Sequence, residues 1–129
     1  IRTTAYQERL DALSTGAEGE RLAAEYLLKE GFDLLHRNWR NCRCEIDLVA
    51  RRDGVLHIIE VKSRAADGLT APEEAMTAAK FRSLCKAARS YIATYGLDMD
   101  VQFDFIGVEF DADGTHTLRY LPDAMAPRW

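Results

Sequence analysis

An α/β architecture is predicted for this 129-residue chain: a mixed five-stranded sheet flanked by helices, in the order helix, three strands, helix, two strands. Three observations predict it. Helical periodicities near residues 15–31 and 71–95 alternate with shorter segments of alternating, β-branched character. An Asp53-Gly54 dipeptide joins two of those segments as a tight antiparallel hairpin. The long second helix has to carry the chain back across the sheet, which makes the strand after it a candidate parallel neighbour of an earlier one through a right-handed crossover.

Each element has its own signal. Thr15-Gly-Ala-Glu18 reads as a capping box, followed by Leu22, Ala23, Tyr26 and Leu27 at helical spacing, with Gly31 placed to end the helix. Tyr6 and Leu10 are compatible with a separate short helix within residues 1–14. Phe32 to Arg37 reads as the first strand and Asn38 to Arg43 as a polar, arginine-rich connection. The hairpin of strands two and three runs from Glu45 to Lys62. Its second arm, Val55 to Lys62, is apolar on both faces until Glu60, the mark of a central strand covered on both sides. Arg64 to Gly68 reads as a polar loop. Thr70-Ala-Pro-Glu73 is a second capping signature, with Pro72 in the first helical turn, where its missing N–H costs nothing. That helix is expected to reach about Tyr95, a break near Thr77 being compatible with its pattern, and Gly96 caps it. Val101 to Phe110, a turn at Asp111 to Gly114, and His116 to Leu121 supply the last two strands. The expectation is one domain over residues 1–129, with its core at about 15–121.

Composition narrows the class. A hydrophobic content of 47% with 29% charged residues is that of an ordinary globular protein. No apolar run approaches the roughly 20 residues needed to span a bilayer, and no charged-then-apolar leader opens the chain, so no membrane association and a cytoplasmic location are expected. Cys42, Cys44 and Cys85 lack the C-x-x-C spacing of zinc or redox sites and read as reduced thiols. The net charge of -4 argues mildly against a polyanionic partner. Its distribution argues the other way: residues 36–64 carry seven basic against four acidic side chains, and residues 97–129 two against seven. Positive charge therefore collects around the hairpin, where a phosphate would approach. A solvated strand edge kept soluble by arginines is the competing explanation.

Hairpin register carries the functional signal. With Asp53 and Gly54 in the turn, Arg52 faces Val55, Asp47 falls opposite Glu60, and Glu45 falls opposite Lys62. All four side chains share one face, because side-chain direction alternates along a strand. Two carboxylates facing each other repel unless something positive sits between them. Asp47 and Glu60 offer hard oxygen ligands and Val61 a backbone carbonyl, a set suited to Mg²⁺ or Mn²⁺. Lys62 could orient a water and stabilise charge on a phosphorane-like transition state. The competing reading is an exposed Glu-x-Lys strand end with Asp47 paired to an arginine. His36, His57 and His116 show no mutual metal-ligand spacing, and parity puts His57 on the strand face opposite Glu60. Trp39, beside Arg37 and Arg40, could stack on an unpaired base or pack against its own sheet.

Asp47 followed after twelve residues by Glu60-Val-Lys62 resembles the PD-(D/E)xK signature of restriction-endonuclease-like folds. The run from Thr15 to Ala23 and Gly31 to Arg37 resembles the first helix and strand of archaeal Holliday junction resolvases. Gly19-Glu20, Tyr26-Leu27, Gly31-Phe32, Asn38-Trp-Arg40, Glu45-Ile-Asp-Leu48, Glu60-Val-Lys62, Lys80, Ala87-Ala88 and Phe103-Asp104 are together similar to the YraN family of bacterial proteins, over about residues 15–110. The resemblance implies a restriction-endonuclease-like fold, metal ligation by Asp47 and Glu60, and a catalytic role for Lys62. By the resolvase pattern Glu20 is a further acidic member, although acids at a helix start also complement its dipole. Glu45 matches a family acid, serving either as a ligand or as an ion-pair partner of Lys62. Lys80 is either a phosphate contact or a solvated helix lysine. Cys44 stands where family members usually carry Gly. A homodimer is expected from the resolvase resemblance alone.

Two functions are therefore carried forward. The first is a Mg²⁺-dependent endonuclease acting on DNA, including branched or structured DNA. The second is a non-catalytic module that binds nucleic acid or protein on a nuclease-like scaffold, as the overall negative charge would favour.

Overall fold

A computed structural model describes residues 5–65 and 77–125. Helix α1 (Ala5–Lys29) is followed by strands β1 (Asp33–Asn41), β2 (Cys44–Arg52) and β3 (Val55–Ala65). Helix α2 (Ala78–Tyr95) and strands β4 (Asp100–Phe110) and β5 (His116–Met125) complete the chain order. The five strands form one mixed sheet in sequence order. Only β3 and β4 run parallel, from Val55↔Asp100 to Ala65↔Phe110, and the crossover between them contains α2. The fold is the α/β arrangement that the sequence predicts.

Side-chain alternation divides the core into two layers. Val49, Leu56, Ile58 and Phe103 pack under Leu84, Ala88 and Tyr91 of α2. Leu48, Ala50, Ile59, Ile106 and Val108 pack under Ala23, Ala24 and Leu27 of α1. Ile58 and Ile59 are both fully buried, on opposite faces, so β3 is covered on both sides.

Several boundaries differ from the sequence expectations. The capping box at Thr15 does not start a helix: α1 runs through it from Ala5. An N-cap needs an extended residue, but Ala12 and Leu13 favour helix and no proline interrupts the segment. Glu18 instead binds Arg21 at 2.6 Å. The separate N-terminal helix is thus part of α1, and Glu20 lies well inside the helix, where the end-dipole explanation of its acidity fails. Gly31, at φ 86, closes α1 as expected. Phe32 donates its N–H to the Leu27 carbonyl at 3.0 Å and Gly31 to that of Leu28 at 3.2 Å, a Schellman arrangement.

The expected connection at Asn38 to Arg43 is mostly strand. β1 continues to Asn41, which pairs with Cys44, so that Cys42 and Arg43 form a two-residue turn. Left-handed backbone at Asn38 (φ 51) and Cys42 (φ 55) lets the ladder continue and then reverse. β3 likewise runs on to Ala65, which places Arg64 in a strand; the rest of the expected loop at 66–68 lies outside the described residues. So does the capping signature Thr70 to Glu73. Within the described residues α2 starts at Ala78, with Thr77 as its N-cap accepting the Lys80 N–H. Gly96, left-handed at φ 61, ends α2. β5 extends past Leu121 to Met125.

One buried carboxylate ties three strands together. Asp104 of β4 has no exposed surface and meets four partners. His57 Nδ1 lies 2.6 Å away, Tyr120 donates at 2.7 Å, Gln102 at 2.9 Å and the Asp123 N–H at 2.9 Å. His57 is accordingly packed, in a structural network. Trp39 is also buried, its N–H donating to Tyr95 at 3.2 Å, so it packs on its own domain. No helix among the described residues is long and apolar enough to cross a membrane.

Candidate active site

Hairpin geometry positions the acids. Asp53 (φ 52) and Gly54 (φ 77) both take left-handed backbone, as a type I′ turn requires. The pairing then runs from Arg52↔Val55 to Leu48↔Ile59, the register read from the sequence. At the next position the ladder gives way to a side chain. Asp47 Oδ2 accepts the Val61 N–H at 2.8 Å, so the carboxylate replaces a backbone partner while holding the strand end in place. Glu60 lies near enough there to act electrostatically on the Asp47 carboxyl.

A cavity of about 320 Å³ opens at this point. Asp47, Glu60, Val61 and Lys62 line it from the hairpin, Glu20 from α1 and Lys80 from α2. Glu45 also lines it, but the expected Glu45–Lys62 pair is replaced. Glu45 faces Arg40 across the β1–β2 ladder, 3.6 Å away with both side chains largely exposed, because β2 has already left β3. Lys80 is not the freely solvated helix lysine that one reading allowed: its Nζ lies 3.7 Å from Glu60 Oε1.

Electrostatics at the centre reflect crowded negative charge. Burial, then the charge of Glu60, pushes the Asp47 carboxyl up to about 7; the Val61 N–H opposes this and Glu20 adds to it. Burial also raises Glu60, against the pull of Lys80 and Lys62. The Lys80 ammonium is lowered, first by its contact with Lys62 and then by burial. In this arrangement a proton on Asp47 and the Lys80 ammonium offset the negative charge. A divalent cation would meet the same demand, with oxygen donors from Asp47 and Glu60, and Val61 lines the same cavity. No cluster of three His, Cys, Asp or Glu ligands occurs among the described residues; a cation here would have the Asp47 and Glu60 carboxylates as its side-chain ligands.

A family model described as uncharacterised protein family UPF0102 matches residues 19–108. This chain belongs to UPF0102, the YraN family. A UPF0102 protein of Porphyromonas gingivalis is 39% identical over 100 residues, covering 78% of this chain and 74% of the relative. One from Chlorobium chlorochromatii is 39% identical over 114 residues, covering 84% and 88%. One from Bacteroides fragilis is 36% identical over 112 residues, covering 87% and 92%. Every residue lining the cavity falls inside the UPF0102 match.

The match begins at Gly19, and the structure gives that residue a reason to be small. A Cβ built on Gly19 would lie 1.7 Å from Ser63 Oγ and 2.9 Å from Ser63 Cβ. The absence of a side chain lets α1 rest on β3 beside Lys62, which brings the neighbouring Glu20 to the cavity. Sequence reading missed Arg43, Cys44, Ser83 and Leu84 as lining residues. Arg43 was assigned to a connection that is a turn at the cavity rim. Ser83 is three residues beyond Lys80, hence on the same helix face, a signal that was available.

Proposed function

We propose that this UPF0102 protein is a divalent-metal-dependent endonuclease that hydrolyses DNA phosphodiester bonds, with branched or structured DNA as its candidate substrate. The observation that carries the reading is the half-buried Asp47–Glu60 pair, held in register by the Val61 N–H and lining one cavity with Lys62. A carboxylate pair crowded at a strand end and only partly offset by Lys80 is costly to the fold, as functional sites often are. Asp47 and Glu60 would hold Mg²⁺ or Mn²⁺, which when bound supplies Lewis-acid activation of a phosphodiester. Lys62 orients the attacking water and stabilises negative charge developing on the phosphoryl oxygens. Glu20 and Glu45 keep the mouth acidic and so favour a cation. Lys80, whose Nζ lies 3.7 Å from Glu60 Oε1, would be available to a substrate phosphate with Glu60 engaged by the cation.

The test is cleavage of linear, nicked, flap and four-way DNA with Mg²⁺ and Mn²⁺. Metal-dependent cutting of at least one substrate is expected, lost in Lys62→Ala and Asp47→Ala while binding persists. A wild-type protein that cuts none of them refutes the reading. The Lys80–Glu60 ion pair favours one alternative, a non-catalytic nucleic-acid- or protein-binding module whose acid pair is neutralised internally. Its signature is binding that is indifferent to divalent metal and to Lys62 replacement.

A further inference from the structure

The net charge of -4 conceals a strongly one-sided distribution between the two helices. Over its 18 residues α2 carries Lys80, Arg82, Lys86 and Arg89 and no Asp or Glu at all. By contrast, α1 carries five acidic and three basic residues. The helices cover opposite faces of the sheet, so the basic charge of α2 lies on one side of it.

Spacing turns the α2 charges into a stripe. Leu84, Cys85, Ala87, Ala88 and Tyr91 form the buried face of the helix, and Arg82, Lys86 and Arg89 all lie exposed on the opposite one. Positions i, i+4 and i+7 stand above one another along an α-helix. The stripe from Arg82 to Arg89 is about 10 Å long at about 1.5 Å rise per residue. That length spans about three phosphates of one strand at roughly 3.4 Å each.

The stripe runs along the outer side of the helix that helps to line the cavity. Lys80, Ser83 and Leu84 of α2 line the cavity together with Arg43 from the β1–β2 turn, on a helix face other than that of the stripe. The end of that hairpin is fastened to α2 where Asn41 Nδ2 donates to Ser90 Oγ at 2.9 Å. Among the described residues, Glu60 and Glu109 have cationic partners. Glu60 faces Lys80, Glu109 faces Arg64 at 3.8 Å, and Asp98 and Asp100 follow the C-terminal end of the helix.

We infer that the exposed outer face of α2, through Arg82, Lys86 and Arg89, is a surface on which a nucleic-acid backbone lies when the protein holds its substrate. The inference rests on the reading of the cavity as a phosphodiester site. It resolves the conflict between a negative chain and a polyanionic partner, because the partner meets one face only. Contacts to phosphates release counterions, so three of them account for about 40-fold of the affinity lost between 50 and 200 mM salt, at a slope of about 0.9 per contact on duplex DNA.

The test is fluorescence anisotropy of labelled duplex and four-way DNA with Ca²⁺ in the buffer, across a salt series. Wild type is compared with Arg82→Gln, Lys86→Gln and Arg89→Gln combined. Those positions are exposed, and circular dichroism checks that the variant is folded. Arg21→Gln with Lys29→Gln on α1 is the control. The expected result is that the α2 variant loses about 2 to 3 from its log–log salt slope and binds at least tenfold more weakly at low salt, while the α1 variant matches wild type. An α2 variant that keeps the wild-type slope, equal losses in both variants, or a wild type that binds no DNA overturns the inference. So does binding of a poly-glutamate peptide to the stripe as tight as that of DNA, which would identify an acidic protein as the partner. Failure of the nuclease reading looks different: DNA is bound through α2 with this salt dependence, yet is not cut with Mg²⁺ or Mn²⁺.

Discussion

Replacing Asp47 with Asn removes one of two negative charges at the cavity centre while retaining an oxygen for the Val61 N–H, which Asp47 accepts at 2.8 Å. The folded protein holds the Asp47 proton more tightly than the unfolded chain, because burial and Glu60 move that carboxyl from 3.8 to about 7. The folded state therefore binds more protons between those values, and stability falls as pH rises through them. The loss is complete above about pH 7. A displacement from 3.8 to about 7 corresponds to about 4 kcal/mol, at about 1.4 kcal/mol per tenfold change. Asn carries no such cost. Asp47→Asn is thus expected to be more stable than wild type at pH 8, by about 2 to 4 kcal/mol, or roughly 6 to 15 °C in Tm for a domain of this size. Linkage places about 1.7 kcal/mol of the full effect at pH 5, so the gap should widen by about 2 to 3 kcal/mol between pH 5 and pH 8. Urea melts of both proteins at the two pH values measure it, and adding Mg²⁺ or Mn²⁺ at pH 8 should narrow the gap by stabilising only the wild type. A variant less stable than wild type at pH 8, or a gap that does not grow with pH, would refute the reasoning.

Two further predictions concern how the site is held. Gly19→Ala, whose Cβ would lie 1.7 Å from Ser63 Oγ, should cost about 1 to 3 kcal/mol in a thermal or urea melt by overpacking. Adding Ser63→Gly should recover most of that, since the next neighbour, Val108 Cβ, is at an ordinary 3.8 Å; no recovery would mean that α1 is not seated by this contact. Asp104→Ala leaves His57, Tyr120, Gln102 and the Asp123 N–H without their shared acceptor and should cost about 3 kcal/mol or more in a urea melt. Burial raises the Asp104 carboxyl, but its hydrogen bonds outweigh this and hold it below its usual value of 3.8. That part of its contribution is present above about pH 4 and is lost as pH falls through the lowered value, so the difference from Asp104→Asn should shrink in acid.

The hairpin was the most legible part of the molecule, because a turn that demands two left-handed residues fixes a register and a register fixes which side chains meet. Asp53-Gly54 met that demand, and the pairing followed as far as Leu48↔Ile59. What pairing rules could not supply was the use of the Asp47 carboxylate as a ladder partner for Val61, which frees Glu45 to face Arg40. Local signals failed where one pattern serves two conformations. Thr15 to Glu18 looks the same at a helix start and inside a helix, and only the uninterrupted helix before it decides. Asn38 and Cys42 hid the length of β1, since their left-handed backbone reads as loop in any pattern of propensities. Long-range contacts were the least legible. His57 and Asp104 are 47 residues apart, and Arg43 reaches the cavity only because its turn docks beside α2.

The cation site is tested most directly by titrating Mn²⁺ into wild type and Asp47→Asn near pH 6.5 by calorimetry in two buffers of different ionisation enthalpy. If Asp47 and Glu60 form the site, wild type binds Mn²⁺ and releases a substantial fraction of one proton, because Asp47, with its carboxyl at about 7, must give up its proton to become a ligand. Asp47→Asn then binds at least tenfold more weakly and without that release. Equal Mn²⁺ binding by both proteins, or binding by wild type with no proton released, would contradict the account.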